Sequence, residues 1–348
     1  MVRKAAFAVP GDLATPTGGY AYDRRIIAEL SLRDWRIEVV DLGDGFPYPA
    51  ADTRAAAGAR LAALAPGRPV VIDGLAFGVL AEAAAALRAS HPLVALVHHP
   101  LALESGLSAA DAASLRARER SALACARHVI ATSATVARLL VDDYGVAAAR
   151  VSVVVPGTDR VSPPPRKREG EVKLLAVGSV IPRKGYDVLV AALARLRQLP
   201  WRLIIAGDCG RSPQTSRRLR AEIARLGLAD RITLLGAVTS GEMSPLYAST
   251  DLFVLPSRFE GYGMAYTEAI AHGVPVIGTT AGAVPQTVPP DAGVLVAPDD
   301  VEALTATLQR LIANPNERER LAAGARAAKF PSWSEQAALF ARVLESLA

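Results

Sequence analysis

The stretch Leu252-Phe253-Val254-Leu255-Pro256-Ser257-Arg258-Phe259-Glu260-Gly261-Tyr262-Gly263-Met264-Ala265-Tyr266-Thr267-Glu268-Ala269 changes character twice. A short apolar run ends at Leu255, a loop spaced by glycines follows, and helical composition begins near Met264. Strand, loop, helix is one βα unit, and in a parallel sheet that unit carries its loop to the carboxyl edge, where ligands bind. Gly261, Tyr262, Gly263, Met264 and Ala265 then offer backbone amides and a helix N-terminus to an anion. Glu260 precedes the loop and Glu268 lies one turn into the helix, so two carboxylates flank a phosphate-sized nest. Ionised carboxylates accept hydrogen bonds from hydroxyls, which suits a ligand with hydroxyls on either side of a diphosphate. Read singly, Glu268 is also an ordinary acidic first-turn residue.

Outward from this unit, strand-like runs alternate with amphipathic segments nearly from end to end, the pattern of parallel sheets covered by helices. Strands are expected near Lys4 to Val9, Ile37 to Val40, Pro69 to Ile72, Leu93 to Val97, Val129 to Ala131 and Val151 to Val155. A second series follows at Val172 to Val177, Trp201 to Ala206, Ile232 to Leu235, Leu252 to Leu255, Val274 to Ile277 and Val294 to Val296. Between the series, Pro156 to Gly170 holds Gly157, Pro163, Pro164, Pro165 and a charged cluster, which propagate neither helix nor central strand. The last segment, Asp300 to Ala348, reads as helices broken at Asn314-Pro315 and at Pro331. The expected organisation is two Rossmann-like α/β domains, 1–160 and 161–348, facing across a cleft, and the 348 residues, 51% hydrophobic, can bury a core in each.

Three more loops fall at strand ends. After the first strand, Thr17-Gly18-Gly19-Tyr20 opens a helix, and Gly18 and Gly19 let backbone amides approach an anion. The spacing is not Gly-x-Gly-x-x-Gly, and a plain flexible loop reads equally well. Leu93 to Val97 ends in His98-His99-Pro100, where an imidazole can hydrogen-bond a hydroxyl or balance developing charge. Alone, each histidine fits a structural role as well. Third, Gly178-Ser179-Val180-Ile181-Pro182-Arg183-Lys184-Gly185 follows the first strand of the second half. Arg183 and Lys184 there could neutralise a departing diphosphate, or form a solvated basic turn. It is no Walker loop.

Composition excludes several classes. No apolar run approaches the ~18 residues of a membrane span, and Met1 to Pro10 is too poor in apolar residues for a secretory signal. Cys125 and Cys209 lie far apart, which fits a reducing cytoplasm. No zinc spacing appears, and Asp142-Asp143 and Asp299-Asp300 are adjacent pairs on surface-like segments, so neither metal nor cofactor is expected. Net charge is +5, but the arginines are scattered among glutamates, and nucleic acid explains neither the glycine loop nor the paired carboxylates.

With these motifs assembled, the sequence resembles glycosyltransferase family 4, the retaining family of GT-B fold. The resemblance covers nearly the whole chain and is sharpest from Val172 to Val296, its most specific mark being Glu-x7-Glu at Glu260 and Glu268. His272-Gly273-Val274-Pro275 and Ile204-Ile205-Ala206-Gly207 support it. It implies that Glu268 binds the donor ribose, Glu260 lies beside the transferred sugar, Lys184 contacts the diphosphate, and Gly261 to Ala265 supply amides. Gly236 would border the base, Gly18 and Gly19 would form the mobile loop under the diphosphate, and His98, with His99 in reserve, would adjoin the sugar. The final helix would pack back toward the N-terminal domain. One departure stands out: many members carry Arg where this chain has Ser179, and Arg183 is the candidate substitute.

The resemblance implies a metal-independent retaining hexosyltransferase, using a UDP- or GDP-sugar and an acceptor hydroxyl, in glycolipid, polysaccharide or glycoconjugate synthesis. The leaving phosphate would itself accept the acceptor's proton. The expected place is the cytoplasm, with peripheral membrane contact through Arg24, Arg25, Tyr20 and Tyr22. A nucleotide-sugar epimerase or a non-catalytic sugar-nucleotide-binding subunit would share the cleft, but Glu260, Glu268 and Lys184 together argue for transfer.

Overall fold

The computed structural model describes residues 2–161 and 170–347, so residues 162–169 of the expected linker lie outside the described residues. The chain forms two compact units, Met1–Gly157 with Pro331–Ala348, and Thr158–Phe330.

In the first unit, β1 (Arg3–Val9), α1 (Gly18–Ser31), β2 (Trp35–Asp41), α2 (Ala51–Ala62), β3 (Val70–Asp73), α3 (Gly74–Phe77), α4 (Ala81–Leu87), β4 (Leu93–Val97), α5 (Ala109–Leu123), β5 (His128–Ala131), α6 (Ala134–Asp142) and β6 (Val151–Val153) follow in sequence. The six strands form one sheet in the order β2-β1-β3-β4-β5-β6, and each pairing is parallel. β3 and β4 are buried at every residue. This is why they read as unbroken apolar runs with no alternation, as strands covered on both faces do.

The second unit contains β7 (Val172–Val177), α7 (Tyr186–Ala194), β8 (Trp201–Ala206), α8 (Pro213–Arg225), β9 (Ile232–Gly236), α9 (Ser240–Ala248), β10 (Leu252–Val254), α10 (Met264–Ala271), β11 (Val276–Thr279), α11 (Val284–Thr287), β12 (Gly293–Val296), α12 (Val301–Ala313) and α13 (Pro315–Ala327). Its parallel sheet has the order β12-β11-β10-β7-β8-β9. Two Rossmann-like parallel sheets therefore make up the fold, as the sequence implies. β11 starts at Val276, two residues later than the apolar pattern suggests, because the Val274 N–H closes the end of α10 on Ala269 O at 3.0 Å.

The last helix, α14 (Trp333–Glu345), belongs to the first unit. Ser332 and Glu335 form a capping box at its start, which satisfies two amides of the first turn. Phe340 and Leu344 are fully buried, with the Phe340 ring 6.3 Å from Phe7 on β1. The Trp333 ring meets Tyr22 on α1 edge-on at 5.8 Å, and Tyr22 OH donates to Val154 O at 2.9 Å. No helix among the described residues is long and apolar enough to cross a membrane.

Candidate functional site

In the second unit, the carboxyl ends of β7 and β10 carry adjacent loops. After β7 the chain makes a single turn at Pro182–Lys184 before α7. Lys184 lays its stem across Gly178, where a Cβ would stand 2.9 Å from Lys184 Cε. Its ammonium donates to Glu260 Oε1 at 2.6 Å, and Ser257 Oγ donates to the same oxygen at 2.6 Å. Arg183 reaches Phe259 O at 3.0 Å and Glu260 Oε2 at 3.4 Å. Burial would raise the Glu260 carboxyl, but the charges of Lys184 and then Arg183, helped by hydrogen bonds, hold it below its ordinary value. Glu260 is thus an ionised carboxylate, 6% exposed, between two cations.

Beyond Glu260 the loop turns into α10 at Gly263, whose φ of 96° is left-handed and whose position lacks a side-chain cap. Glycine alone adopts that conformation at little cost, and the uncapped first turn directs amides to an anion. Met264 and Ala265 open the helix, and Tyr262 O accepts from Thr287 Oγ1 at 2.8 Å. One turn on, Glu268 takes a hydrogen bond from Tyr247 OH at 2.9 Å. Tyr247 stacks on His272 with ring centres 4.9 Å apart, and His272 Nδ1 lies 2.7 Å from Glu268 O. Burial pushes the Glu268 carboxyl up to about 7, with the Tyr247 hydrogen bond opposing.

The remaining residues expected in this half lie at the same edge. Ser179 follows Gly178, and Gly236 ends β9, accepting from Gly207 N at 2.8 Å; a Cβ on Gly236 would meet open space. Arg258, which sequence reading passed over, binds Asp187 through two nitrogens at 3.1 and 2.7 Å, Asp299 at 2.7 Å, and Pro182 O. Asp299 and Asp300 have structural partners: Asp300 caps α12 through Ala303 N at 2.8 Å.

In the first unit, Thr17 caps α1, and Gly18 and Gly19 are its first residues. A Cβ on Gly19 would lie 3.3 Å from the His98 ring, so glycine admits the imidazole against the helix. His98 Nε2 is 3.2 Å from Asp23 Oδ1 and 3.3 Å from Asp73 Oδ2, and the Tyr22 ring meets it edge-on at 5.3 Å. His99 has a different setting, 3.6 Å from Glu104. Sequence reading missed Asp23 and Asp73. Asp23 stands four residues after Gly19, hence on the same helix face, and Asp73 ends the strand beside β4; those two facts were the available signal. The three donor atoms lie within 4.8 Å of one another, and the contacts from Nε2 have hydrogen-bond length.

The tyrosines and arginines expected at a lipid surface are otherwise engaged. Tyr22 is fully buried, which corrects its place in that expectation. Tyr20 OH donates to Pro10 O, Arg24 to the carbonyls of Leu13 and Thr15, and the Arg25 guanidinium sits 5.0 Å above the Trp333 ring centre.

Two family profiles match adjoining stretches of this chain: "Glycosyltransferase Family 4" over residues 13–161 and "Glycosyl transferases group 1" over residues 158–328. Among characterised sequences, it is 31% identical over 272 residues to the MMP alpha-(1->4)-mannosyltransferase of Mycolicibacterium hassiacum, 73% of this chain and 65% of that one. It is 33% identical over 266 residues to the D-inositol 3-phosphate glycosyltransferase of Thermobifida fusca, 69% of this chain and 61% of that one. The match thus spans less than two thirds of either relative's length. Among solved structures, sucrose-phosphate synthase from Thermosynechococcus elongatus superposes with TM-score 0.83 at 21% identity over 99% of both chains. Anabaena HepE in complex with UDP and glucose gives TM-score 0.78 at 21% identity, over 99% of this chain and 100% of that one. These likenesses establish a GT-B fold.

Proposed function

This chain belongs to glycosyltransferase family 4, and from that premise we propose that it is a metal-independent, retaining hexosyltransferase. Its donor is a UDP- or GDP-sugar and its acceptor a hydroxyl compound of glycolipid, polysaccharide or glycoconjugate synthesis. The observation that carries the reading is the pairing of Lys184 and Arg183 with buried Glu260, beside the uncapped start of α10. As the anomeric bond breaks, negative charge grows on the diphosphate, and two cations and a set of backbone amides stabilise it without reorganising. Arg183, held next to Lys184, takes the part of the arginine absent at Ser179. Glu260, ionised, lies where positive charge develops on the sugar ring. Glu268 accepts from the ribose hydroxyls, and the amides of Gly261 to Ala265 hold phosphate and sugar.

His98, packed against Gly19 at the start of α1, is assigned to the transferred sugar, and the departing phosphate takes the acceptor's proton. A GDP-mannose-dependent mannosyltransferase of Corynebacterium glutamicum, 34% identical over 164 residues, and a UDP-bound structure of the same fold support the two donor classes. The working place is the cytoplasm, with the inner membrane face as the site of a lipid acceptor.

Thermal shift and calorimetry against UDP-, GDP-, ADP- and CDP-sugars, without metal, test the proposal, since a ligand of the folded state raises the melting temperature with concentration. One base should stand out, and NMR of the product should show retained anomeric configuration. Inversion, dependence on added divalent metal, or silence across the panel would overturn it.

A further inference from the structure

Asp23 and Asp73 present a problem that sugar transfer by the second unit does not explain. They are 0% and 2% exposed. One oxygen of Asp73 caps α3 through Leu75 N at 2.7 Å, while Asp23 Oδ2 has no hydrogen-bond partner among the described residues. Two carboxylates removed from water repel each other and are costly unless a cation or a proton joins them. The groups facing them are His98 from the end of β4, and Tyr22 from α1, whose phenol burial keeps neutral. Both Nε2 contacts, at 3.2 and 3.3 Å, converge on one ring nitrogen.

We propose that Asp23 and Asp73 are positioning residues that clamp His98 by Nε2–H and keep it an imidazolium, so that Nδ1–H is presented as a hydrogen-bond donor and His98 serves as a fixed cation, not a base. The purpose of the clamp rests on the hexosyltransferase reading; its existence does not. Burial alone would lower the His98 pKa, but Asp23 and then Asp73 outweigh it and raise it. Asp23 itself is raised by burial, with His98 opposing. With Nε2 engaged, the ring can turn only Nδ1 elsewhere, and the side chain keeps 21% of its surface exposed. A cation there complements a sugar hydroxyl or phosphate oxygen; a neutral ring would offer a lone pair as readily as a proton.

The test is long-range proton–nitrogen NMR of the histidine rings in the full chain, with His98 assigned from His98→Gln. The wild type should show both His98 nitrogens protonated from about pH 6 to about pH 9. Asp73→Asn and Asp23→Asn should each bring its titration down into that window. They should also lower kcat roughly tenfold, a charged bond being replaced by a neutral one, and give the rate an alkaline fall that the wild type lacks. A neutral wild-type ring at neutral pH, or an unchanged His98 titration in both Asn variants, overturns the clamp. So does a stoichiometric zinc-induced shift of the ring nitrogens, which would make the trio a cation site. The wild-type spectrum decides even if a variant does not fold. A charged ring in a protein that transfers no sugar leaves the clamp standing and removes the function proposed above.

Discussion

Lys184 and Glu260 hold each other at 2.6 Å, so on the proposed reading an arriving diphosphate would share a cation that already has a partner. The pair keeps the ammonium in place and limits how tightly the ground state binds, leaving more of the attraction for the charge that appears as the bond breaks. Lys184→Ala should therefore lower kcat by roughly two to three orders of magnitude, read from initial rates at saturating donor; turnover near that of the wild type would remove Lys184 from the reaction. A second residue-scale consequence concerns pH. The Glu268 carboxyl, raised to about 7 by burial, is largely neutral below that value, and its ionised form would be the stronger acceptor for the two ribose hydroxyls, losing no oxygen to a proton. Nucleotide affinity should rise as pH increases through about 7. The Tyr247 hydrogen bond lowers this pKa, so Tyr247→Phe should move the midpoint to higher pH. Calorimetry across pH checks both, and a flat affinity in the wild type would take Glu268 away from the ribose.

Between elements, Arg258 ties three segments at one sheet edge: the turn before α7 and the first turn of α7 through Pro182 O and Asp187, its own loop after β10, and Asp299 before α12. Its backbone N–H adds a bond to Arg183 O at 2.7 Å. Arg258→Ala should lower kcat/KM by roughly ten- to a hundredfold with the fold intact by circular dichroism, and Arg258→Lys should restore little, because an ammonium cannot make the forked contacts. Full activity in Arg258→Ala would show that the loops hold themselves. In the first unit, Glu119 on α5 accepts from Leu101 N at 2.9 Å and anchors the turn after His98-His99-Pro100. Burial raises its carboxyl from 4.5 to about 8. A carboxyl raised in the folded state favours folding fully only below its unfolded value, and that contribution is lost as pH climbs through about 8. Glu119→Gln keeps the acceptor and removes the charge, so it should raise the melting temperature at about pH 9 and change it little at about pH 5; an equal shift at both would refute the assignment.

These anchors also mark what the sequence could not yield. The strands near Pro69 to Ile72 and Leu93 to Val97 were legible because full burial imposes unbroken apolar runs, and α10 was legible because Gly261 and Gly263 close a loop just before a helix-forming run. Arg258 and Glu119 read as ordinary members of charged segments, since their meaning depends on which loop lies beside them. The setting of His98 was hidden for the same reason: Gly19, Asp23 and Asp73 come from two other elements, and only the order of the strands brings them together.

At the scale of the molecule, the second unit is an uninterrupted stretch, Thr158–Phe330, while the first needs the chain's final helix. Residues 158–330 expressed alone should fold and bind the free nucleotide with near-native affinity, if the base, ribose and phosphate contacts belong to that unit. A chain cut after Phe330 exposes the surface that Phe340 and Leu344 cover, and should aggregate or melt at lower temperature. Soluble, unaltered melting of the truncated chain would argue that α14 is dispensable. Both halves of the fold could be read from the alternation of runs. The division of α14 from the helices before it could not come from periodicity, which is the same on either side of Pro331; it entered only through family likeness.

That last helix also sets the order of events on the ribosome. The N-terminal sheet emerges first, yet its partner Phe340 is added only after the whole second unit has been made. At about 5–20 residues per second, the nascent sheet waits on the order of 10–40 s with an apolar face uncovered, and the later-made unit is the first to be complete. Chaperones that bind extended apolar chain would find this protein's vulnerable interval in its beginning, long after that beginning has left the exit tunnel.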